Sequence, residues 1–192
     1  MRRNGLPPST PPDSGKALES ARAALTDATA RFAFSATPRL DAELLLAALD
    51  QWPQASGVGL DASPAALAIA RDNAARIAPG RATIAAGGWD GTGEAFDLIL
   101  CNPPYIAADA ALSPEVAEYE PASALFAGPE GLDDYRAIAP VLGRQIAPGG
   151  VACIEIGYDQ GESAATLFRA AGLAVALRRD LAGRDRCLVV TP

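Results

Sequence analysis

From Ser56 to the C-terminus the chain alternates short apolar runs with helical patterns. The strand-like runs are 57–60, 82–86, 96–101, 150–156, 173–178 and 186–190, and the helical patterns are 63–77, 132–146 and 162–171. Such alternation predicts an α/β fold with a doubly wound, mostly parallel sheet whose ligands bind beyond the carboxyl ends of the strands. The Ala182-Gly183-Arg184-Asp185 turn predicts that the last two strands form an antiparallel pair at one edge.

The first 51 residues lack this alternation of strand-like and helical patterns. Residues 1–14 are rich in proline and serine and are predicted to form a disordered tail. Helical patterns at 16–32 and 39–51 predict a short N-terminal helical segment, residues 15–51, built as an antiparallel pair. Residues 52–192 then make up the predicted α/β domain.

Composition excludes several classes of function. Sixteen basic against twenty-three acidic residues give a net charge of −7, which disfavours a nucleic-acid substrate. Histidine is absent, so histidine general-base chemistry is excluded and no metal site is expected. Cys101, Cys153 and Cys187 stand alone in apolar runs, which indicates free thiols in a reducing compartment. No run is long enough to span a membrane and no signal core follows the N-terminus, so we expect a cytoplasmic protein.

The best clue to function is Asn102-Pro103-Pro104-Tyr105, directly after the apolar run 96–101. Two prolines stiffen the loop and leave its carbonyl oxygens free, and Asn102, which precedes them, is held extended. The Asn102 side-chain oxygen and the Pro103 carbonyl suit the two hydrogens of a planar NH₂ group, and the Tyr105 ring can cover its face. The alternative is an ordinary rigid turn.

Two further residues are candidates for binding a nucleoside cofactor. Asp61 ends the first predicted strand, where a carboxylate can accept hydrogen bonds from both ribose hydroxyls, or can simply cap the helix that begins at Ser63-Pro64. Trp89 follows the next strand, and its indole can lie against an adenine or serve as core filler.

These residues resemble the class I S-adenosylmethionine-dependent methyltransferases, and specifically the HemK/PrmC family, which methylates a glutamine side chain in peptide chain release factors. The supporting stretches are 61–64, 88–89, 102–106, 119–125, 131–136, 155–157 and 180–185. Asn-Pro-Pro-Tyr alone is shared with adenine-amino methyltransferases, whereas the later stretches are specific to the glutamine-methylating group. Residues 38–45 also resemble part of that family's N-terminal helical domain, which docks the release factor.

The resemblance implies roles for individual residues. Asp61 and Trp89 contact S-adenosylmethionine, Asn102 contacts both cofactor and substrate, and Asn102, Pro103, Pro104 and Tyr105 cradle the glutamine amide as the catalytic and substrate-binding loop. It also implies a release factor as the protein partner. Two alternatives remain open, namely a related methyltransferase acting on an adenine amino group or a ribosomal protein, and a non-catalytic remnant or interaction module.

One departure from the family stands out. The Gly-x-Gly-x-Gly loop that follows the first strand in such enzymes has no counterpart before Asp61, and residues 41–45 run directly into 46–53, which read as the helix after that loop. Gly57 and Gly59 lie inside a strand and are poor substitutes. We therefore expect an internal deletion that removes the first strand and the loop, and with them stability and cofactor affinity.

Overall fold

The computed structural model describes residues 31–35, 48–112 and 121–192, and only the backbone of 31–35. The predicted tail (1–14) and most of both predicted N-terminal helices therefore lie outside the described residues, as do 113–120. The proposed boundary between a helical segment and an α/β domain at residues 51 and 52 stays a prediction.

A seven-stranded mixed sheet forms the described part of the molecule, in the order β3-β2-β1-β4-β5-β7-β6. The strands are β1 (Arg31–Ser35), β2 (Ser56–Asp61), β3 (Ala82–Ala86), β4 (Phe96–Cys101), β5 (Ile146–Glu155), β6 (Ala174–Arg179) and β7 (Asp185–Thr191). The first five strands are parallel, and β7 is antiparallel to both β5 and β6. The predicted doubly wound sheet with an antiparallel C-terminal pair is confirmed.

The central strand corrects one expectation. Arg31–Ser35 pairs in parallel with β2 on one side and with β4 on the other, so the first strand is present and the two halves of the sheet do not meet directly. Arg31 and Phe32, which the periodicity placed at the end of a helix, belong to this strand. The physical reason is that the backbone N–H and C=O groups along one edge of β2 and one edge of β4 need hydrogen-bond partners. A five-residue strand with alternating aromatic residues can pair with both edges.

Three helices described along their whole length and a short 3₁₀ turn (Ala122–Ala124) connect the strands, and residues 48–51 are helical as well. These helices are α1 (Pro64–Ile77), α2 (Asp133–Leu142) and α3 (Gly161–Ala170). The predicted start of α1 is confirmed, because the Ser63 hydroxyl accepts a hydrogen bond from the Ala66 amide and proline occupies the first turn. Helix α2 ends earlier than predicted, since the buried Ile146 is already the first residue of β5 and pairs with Phe96 of β4.

Two apolar clusters cover the two faces of the sheet. Neighbouring residues of one strand alternate between them, so that Ile99 and Ala152 pack with α2 and α3 while Leu98 and Val151 pack with Leu49 and α1. Cys101 is buried, Cys153 and Cys187 are half-buried, and all three are free thiols as predicted. Among the described residues no helix is both long and apolar enough to cross a membrane.

Candidate active site

The register of the central strands brings two predicted site residues to the same edge of the sheet. Ser35, the last residue of β1, lies opposite Leu60 on one side and Cys101 on the other. The next residues of the flanking strands, Asp61 and Asn102, are therefore level, two strand spacings or about 10 Å apart. The strand order reverses at this point, which is where open α/β sheets bind ligands.

The Asn-Pro-Pro-Tyr loop is a buried and well-supported segment. Asn102 is only 9% exposed, Pro103 and Pro104 are buried, and Tyr105 is partly exposed. Directly after Tyr105, the Ile106 amide donates to the Leu125 carbonyl at 2.9 Å and the Ile106 carbonyl accepts from the Ala127 amide at 2.9 Å. The loop therefore leaves β4 along a defined path and presents Asn102 at the carboxyl end of the strand.

Tyr105 is fixed at both ends by the last residue of β5 and the segment that follows it. Its hydroxyl donates to Glu155 Oε1 at 3.1 Å, and its backbone carbonyl accepts from Gln160 Nε2 at 2.9 Å. Burial, and then the negative charge of Glu155, raise the pKa of Tyr105 above its ordinary value. The phenol therefore remains a protonated donor, and the plane of its ring is set by the end of β5.

Gln160 occupies the centre of this arrangement, and sequence reasoning missed it. Its side-chain NH₂ donates to the Tyr105 carbonyl at 2.9 Å and to the Gly131 carbonyl at 3.1 Å, while its Oε1 accepts from the Gly157 amide at 3.0 Å. Gln160 is 9% exposed and occupies the position before α3 without capping that helix through its side chain. A glutamine placed where a capping residue is expected was the available signal.

Tyr135 joins α2 to the same site. Its ring is fully buried and meets Phe168 edge to face with centroids 6.3 Å apart, and its hydroxyl donates to the Glu155 carbonyl at 3.1 Å. Burial raises the pKa of Tyr135 far above its ordinary value. Three of the stretches that supported the resemblance, 102–106, 131–136 and 155–157, therefore converge on one hydrogen-bonded network.

Asp61 is placed at the end of β2, and one of its oxygens has a local role. Its Oδ1 accepts a hydrogen bond from the Ser63 amide at 2.7 Å, which shapes the turn into α1. A carboxylate has two oxygens and about four acceptor sites, so this bond leaves capacity for ribose hydroxyls. Ser63, not Asp61, caps α1, so the role of Asp61 in the turn is compatible with the ribose interpretation.

Trp89 lies in the connection after β3 and packs against the core cluster on the α2 side. Its Nε1 donates to Asp134 Oδ1 at 2.8 Å, and its carbonyl accepts from Gln145 Nε2 at 2.7 Å. Burial raises the pKa of Asp134, and the indole hydrogen bond opposes that shift. The structure thus ties the indole to α2, and its contact with a cofactor stays a prediction.

The hairpin between β6 and β7 is closed by Asp180. Its Oδ1 accepts from the amides of Ala182 and Arg184, each at 2.9 Å, and the bond from Arg184 is the main cause that lowers the pKa of Asp180. Arg186, whose Nε lies 3.8 Å from Asp180 Oδ2, donates through Nη1 to the Ile156 carbonyl at 3.2 Å. The hairpin is therefore joined to the end of β5 beside the network.

The predicted cofactor-binding part of the site lacks a glycine-rich connection. Asp61 follows Leu60, which pairs with the last residue of β1, and a carboxylate there can accept hydrogen bonds from ribose hydroxyls. The chain has no glycine between Gly15 and Gly57, and β1 continues into Ala36-Thr37-Pro38. Glycine permits the close backbone approach that a nucleotide cofactor requires at this connection, and residues bearing a Cβ do not.

Comparison with known proteins identifies close relatives. No family model matches the chain. It is 46% identical over 152 residues to a release factor glutamine methyltransferase of Caulobacter vibrioides, a match that covers 76% of this chain and 53% of that protein. A protein of the same name from Cereibacter sphaeroides is 50% identical over 143 residues, covering 72% of this chain and 51% of that protein. The chain thus spans about half the length of the curated relatives it matches.

Solved structures agree on the fold. An O-methyltransferase family protein from Burkholderia thailandensis superposes with a TM-score of 0.61 at 16% identity, covering 92% of this chain and 55% of that one. A methyltransferase from Pyrococcus furiosus superposes with a TM-score of 0.60 at 12% identity, covering 97% and 86%. The fold is that of class I methyltransferases, and over about three quarters of its length the chain is similar to release factor glutamine methyltransferases.

Proposed function

We propose that this chain is a protein-glutamine methyltransferase that acts on the side-chain amide of a glutamine in a peptide chain release factor. The observation that carries the proposal is the Asn-Pro-Pro-Tyr loop, buried at the switch point of the sheet with Tyr105 held at both ends. The names of the relatives supply the substrate class. A release-factor substrate implies that the protein acts in the cytoplasm.

The residues of the loop have complementary tasks. The Asn102 side-chain oxygen and the Pro103 carbonyl accept the two amide hydrogens, and the Tyr105 ring covers the amide face. S-adenosylmethionine, when bound, supplies an electrophilic methyl group. An amide nitrogen is a poor nucleophile because its lone pair is delocalised, so the protein contributes alignment and hydrogen bonds that favour a pyramidal nitrogen. No histidine is needed for this chemistry, in agreement with the composition.

The cofactor is held by fewer contacts than in a complete site. Asp61 would bind the ribose hydroxyls, and Trp89 would lie near the adenine. The glycine-free connection after β1 removes the close backbone approach, so we expect weak affinity for S-adenosylmethionine. That same feature supports a second candidate function, in which the chain binds the release factor without methylating it.

The test separates these two functions. Purified chain is incubated with a release factor and labelled S-adenosylmethionine, and the modified glutamine is located by mass spectrometry, with Asn102→Ala as the control. A companion variant carries Gly-x-Gly-x-Gly inserted after Ser35, and calorimetry measures cofactor binding to both. Transfer by the natural chain supports the enzyme, and transfer by the companion variant alone supports a substrate site that lacks its cofactor partner. Absence of glutamine methylation in both would refute the assignment.

A further inference from the structure

We propose that Gln160 is a positioning residue of the Asn-Pro-Pro-Tyr loop and sets the orientation of Tyr105 over the substrate amide. The catalytic consequence of this inference rests on the proposed function, whereas the effect of Gln160 on the loop does not. The starting point is a buried primary amide for which neither a helix cap nor a surface contact accounts.

The hydrogen-bonding capacity of the Gln160 amide is matched by its surroundings. Its NH₂ donates to the carbonyls of Tyr105 at 2.9 Å and Gly131 at 3.1 Å, and its oxygen accepts from the Gly157 amide at 3.0 Å. Two longer contacts of 3.4 Å join the NH₂ to the Glu130 carbonyl and the oxygen to the Tyr135 hydroxyl. The three nearest partners belong to three different connections: after β4, before α2 and after β5. One side chain thus joins the three segments that surround the candidate substrate site.

Two glycines provide the space that this amide occupies. A Cβ at Gly131 would lie 2.8 Å from Gln160 Nε2, and a Cβ at Gly157 would lie 2.7 Å from Gln160 Oε1. Both distances are shorter than real Cβ contacts, so a side chain at either position displaces the amide or the backbone. The site is therefore shaped around a glutamine at position 160.

The link from Gln160 to the substrate runs through Tyr105. Glu155 holds the Tyr105 hydroxyl and Gln160 holds the Tyr105 carbonyl, so the residue is fixed at both ends by one segment. The two preceding prolines have fixed φ angles and pass a shift of the Tyr105 backbone on to the Pro103 carbonyl. Loss of the Gln160 bond therefore misplaces both the ring and one acceptor of the amide hydrogens.

Gln160→Glu is the most specific substitution. It keeps the shape of the side chain and replaces the NH₂ donor by a carboxylate oxygen, which would face the two carbonyl oxygens. Gln145→Glu is its matched control. Gln145 is 8% exposed, and its Nε2 also donates to a backbone carbonyl, that of Trp89, at 2.7 Å. The two variants thus make the same chemical change at equal burial in different parts of the molecule.

The first measurement is hydrogen exchange by mass spectrometry. The amides of Ile106 and Ala108, which donate to the carbonyls of Leu125 and Gly128 at 2.9 Å each, report on the loop directly after Tyr105. We expect exchange of these amides to accelerate about tenfold or more in Gln160→Glu relative to Gln145→Glu, at matched global stability measured in urea. Equal exchange in the two variants would overturn the proposal, whether or not the chain is an enzyme.

The second measurement is steady-state kinetics with a release factor, on the natural chain or on the companion variant with the inserted glycine loop, whichever transfers methyl groups. We expect Gln160→Glu to lower kcat for the glutamine about tenfold or more and to leave the KM for S-adenosylmethionine unchanged. A change confined to the cofactor KM would contradict the proposed role. Absence of transfer in both wild-type forms refutes the proposed function, and the exchange result then decides the role of Gln160 alone.

Discussion

Replacement of Gly131 by alanine tests how tightly the network is packed. Gly131 has φ of +69°, in the left-handed region, where a residue with a Cβ costs about 1–2 kcal/mol. In addition, its Cβ would lie closer than 3.0 Å to the Tyr105 carbonyl oxygen, a backbone atom that cannot rotate away. Moving that carbonyl breaks its bond from Gln160, which adds roughly 0.5–1.5 kcal/mol. We therefore expect Gly131→Ala to lower the free energy of unfolding by about 1.5–3.5 kcal/mol.

Gly172→Ala is the matched control. Gly172 has φ of +86° and follows α3, and a Cβ there would meet no atom within 4 Å. This substitution carries only the conformational cost of about 1–2 kcal/mol. The difference between the two variants isolates the steric effect on Tyr105.

The assay is urea unfolding followed by far-ultraviolet circular dichroism. With a slope of about 2 kcal/mol per molar urea, the midpoint of Gly131→Ala should fall by roughly 0.8–1.8 M, nearly twice the fall in Gly172→Ala. Coincident midpoints would show that the chain absorbs a Cβ at Gly131 without moving the Tyr105 carbonyl, and the reasoning about the network would then be wrong.

Three further predictions concern single side chains. Asn102→Ala should lower methyl transfer to a release factor by at least ~100-fold, and an unchanged rate would remove Asn102 from the site. Asp61→Ala should weaken S-adenosylmethionine binding, measured by calorimetry in a form that binds it, by ~1.5–3 kcal/mol, whereas equal affinity would leave Asp61 with its role in the turn before α1 only. Burial raises the pKa of Tyr135, so the stability that its neutral phenol contributes is fully present below pH 10 and is lost at higher pH. Above pH 10, the free energy of unfolding in urea should therefore depend less steeply on pH for Tyr135→Phe than for wild type. Parallel curves would contradict this prediction.

Local signals explain what the sequence could predict. The start of α1 is encoded by two adjacent residues, Ser63 and Pro64, and β4 by an uninterrupted apolar run that ends at the Asn-Pro-Pro-Tyr loop. The hairpin at Asp180 is equally local, since its hydrogen bonds join residues no more than four apart. Each of these features depends on residues that are close together in the chain, and a short stretch of sequence was therefore enough to predict it.

Long-range pairing explains what the sequence could not predict. The two alternating aromatic residues of Arg31–Ser35 are a short signal inside a helical pattern, and the segment becomes β1 because its backbone pairs with β2 on one side and β4 on the other. Gln160 bonds to Tyr105 across 55 positions, and no periodicity connects the two. The helix α2 was predicted to extend to Ile146 for the same reason, since its pairing with Phe96 of β4 is a long-range contact.

The network around the Asn-Pro-Pro-Tyr loop and the connection after β1 are subject to different physical constraints. Gln160, Tyr135 and Gly131 hold the fold together as well as the substrate loop, so their presence follows from stability whether or not methyl transfer occurs. A glycine loop after β1 serves a ligand and can be lost at little cost to the sheet, since β1 keeps both of its ladders without it. The intact network therefore accounts for the fixed position of the Asn-Pro-Pro-Tyr loop and is neutral on catalysis. We propose that Asn102 contacts the reacting amide. Its replacement therefore distinguishes an active methyltransferase, which would lose methyl transfer, from a protein that would bind a release factor without modifying it.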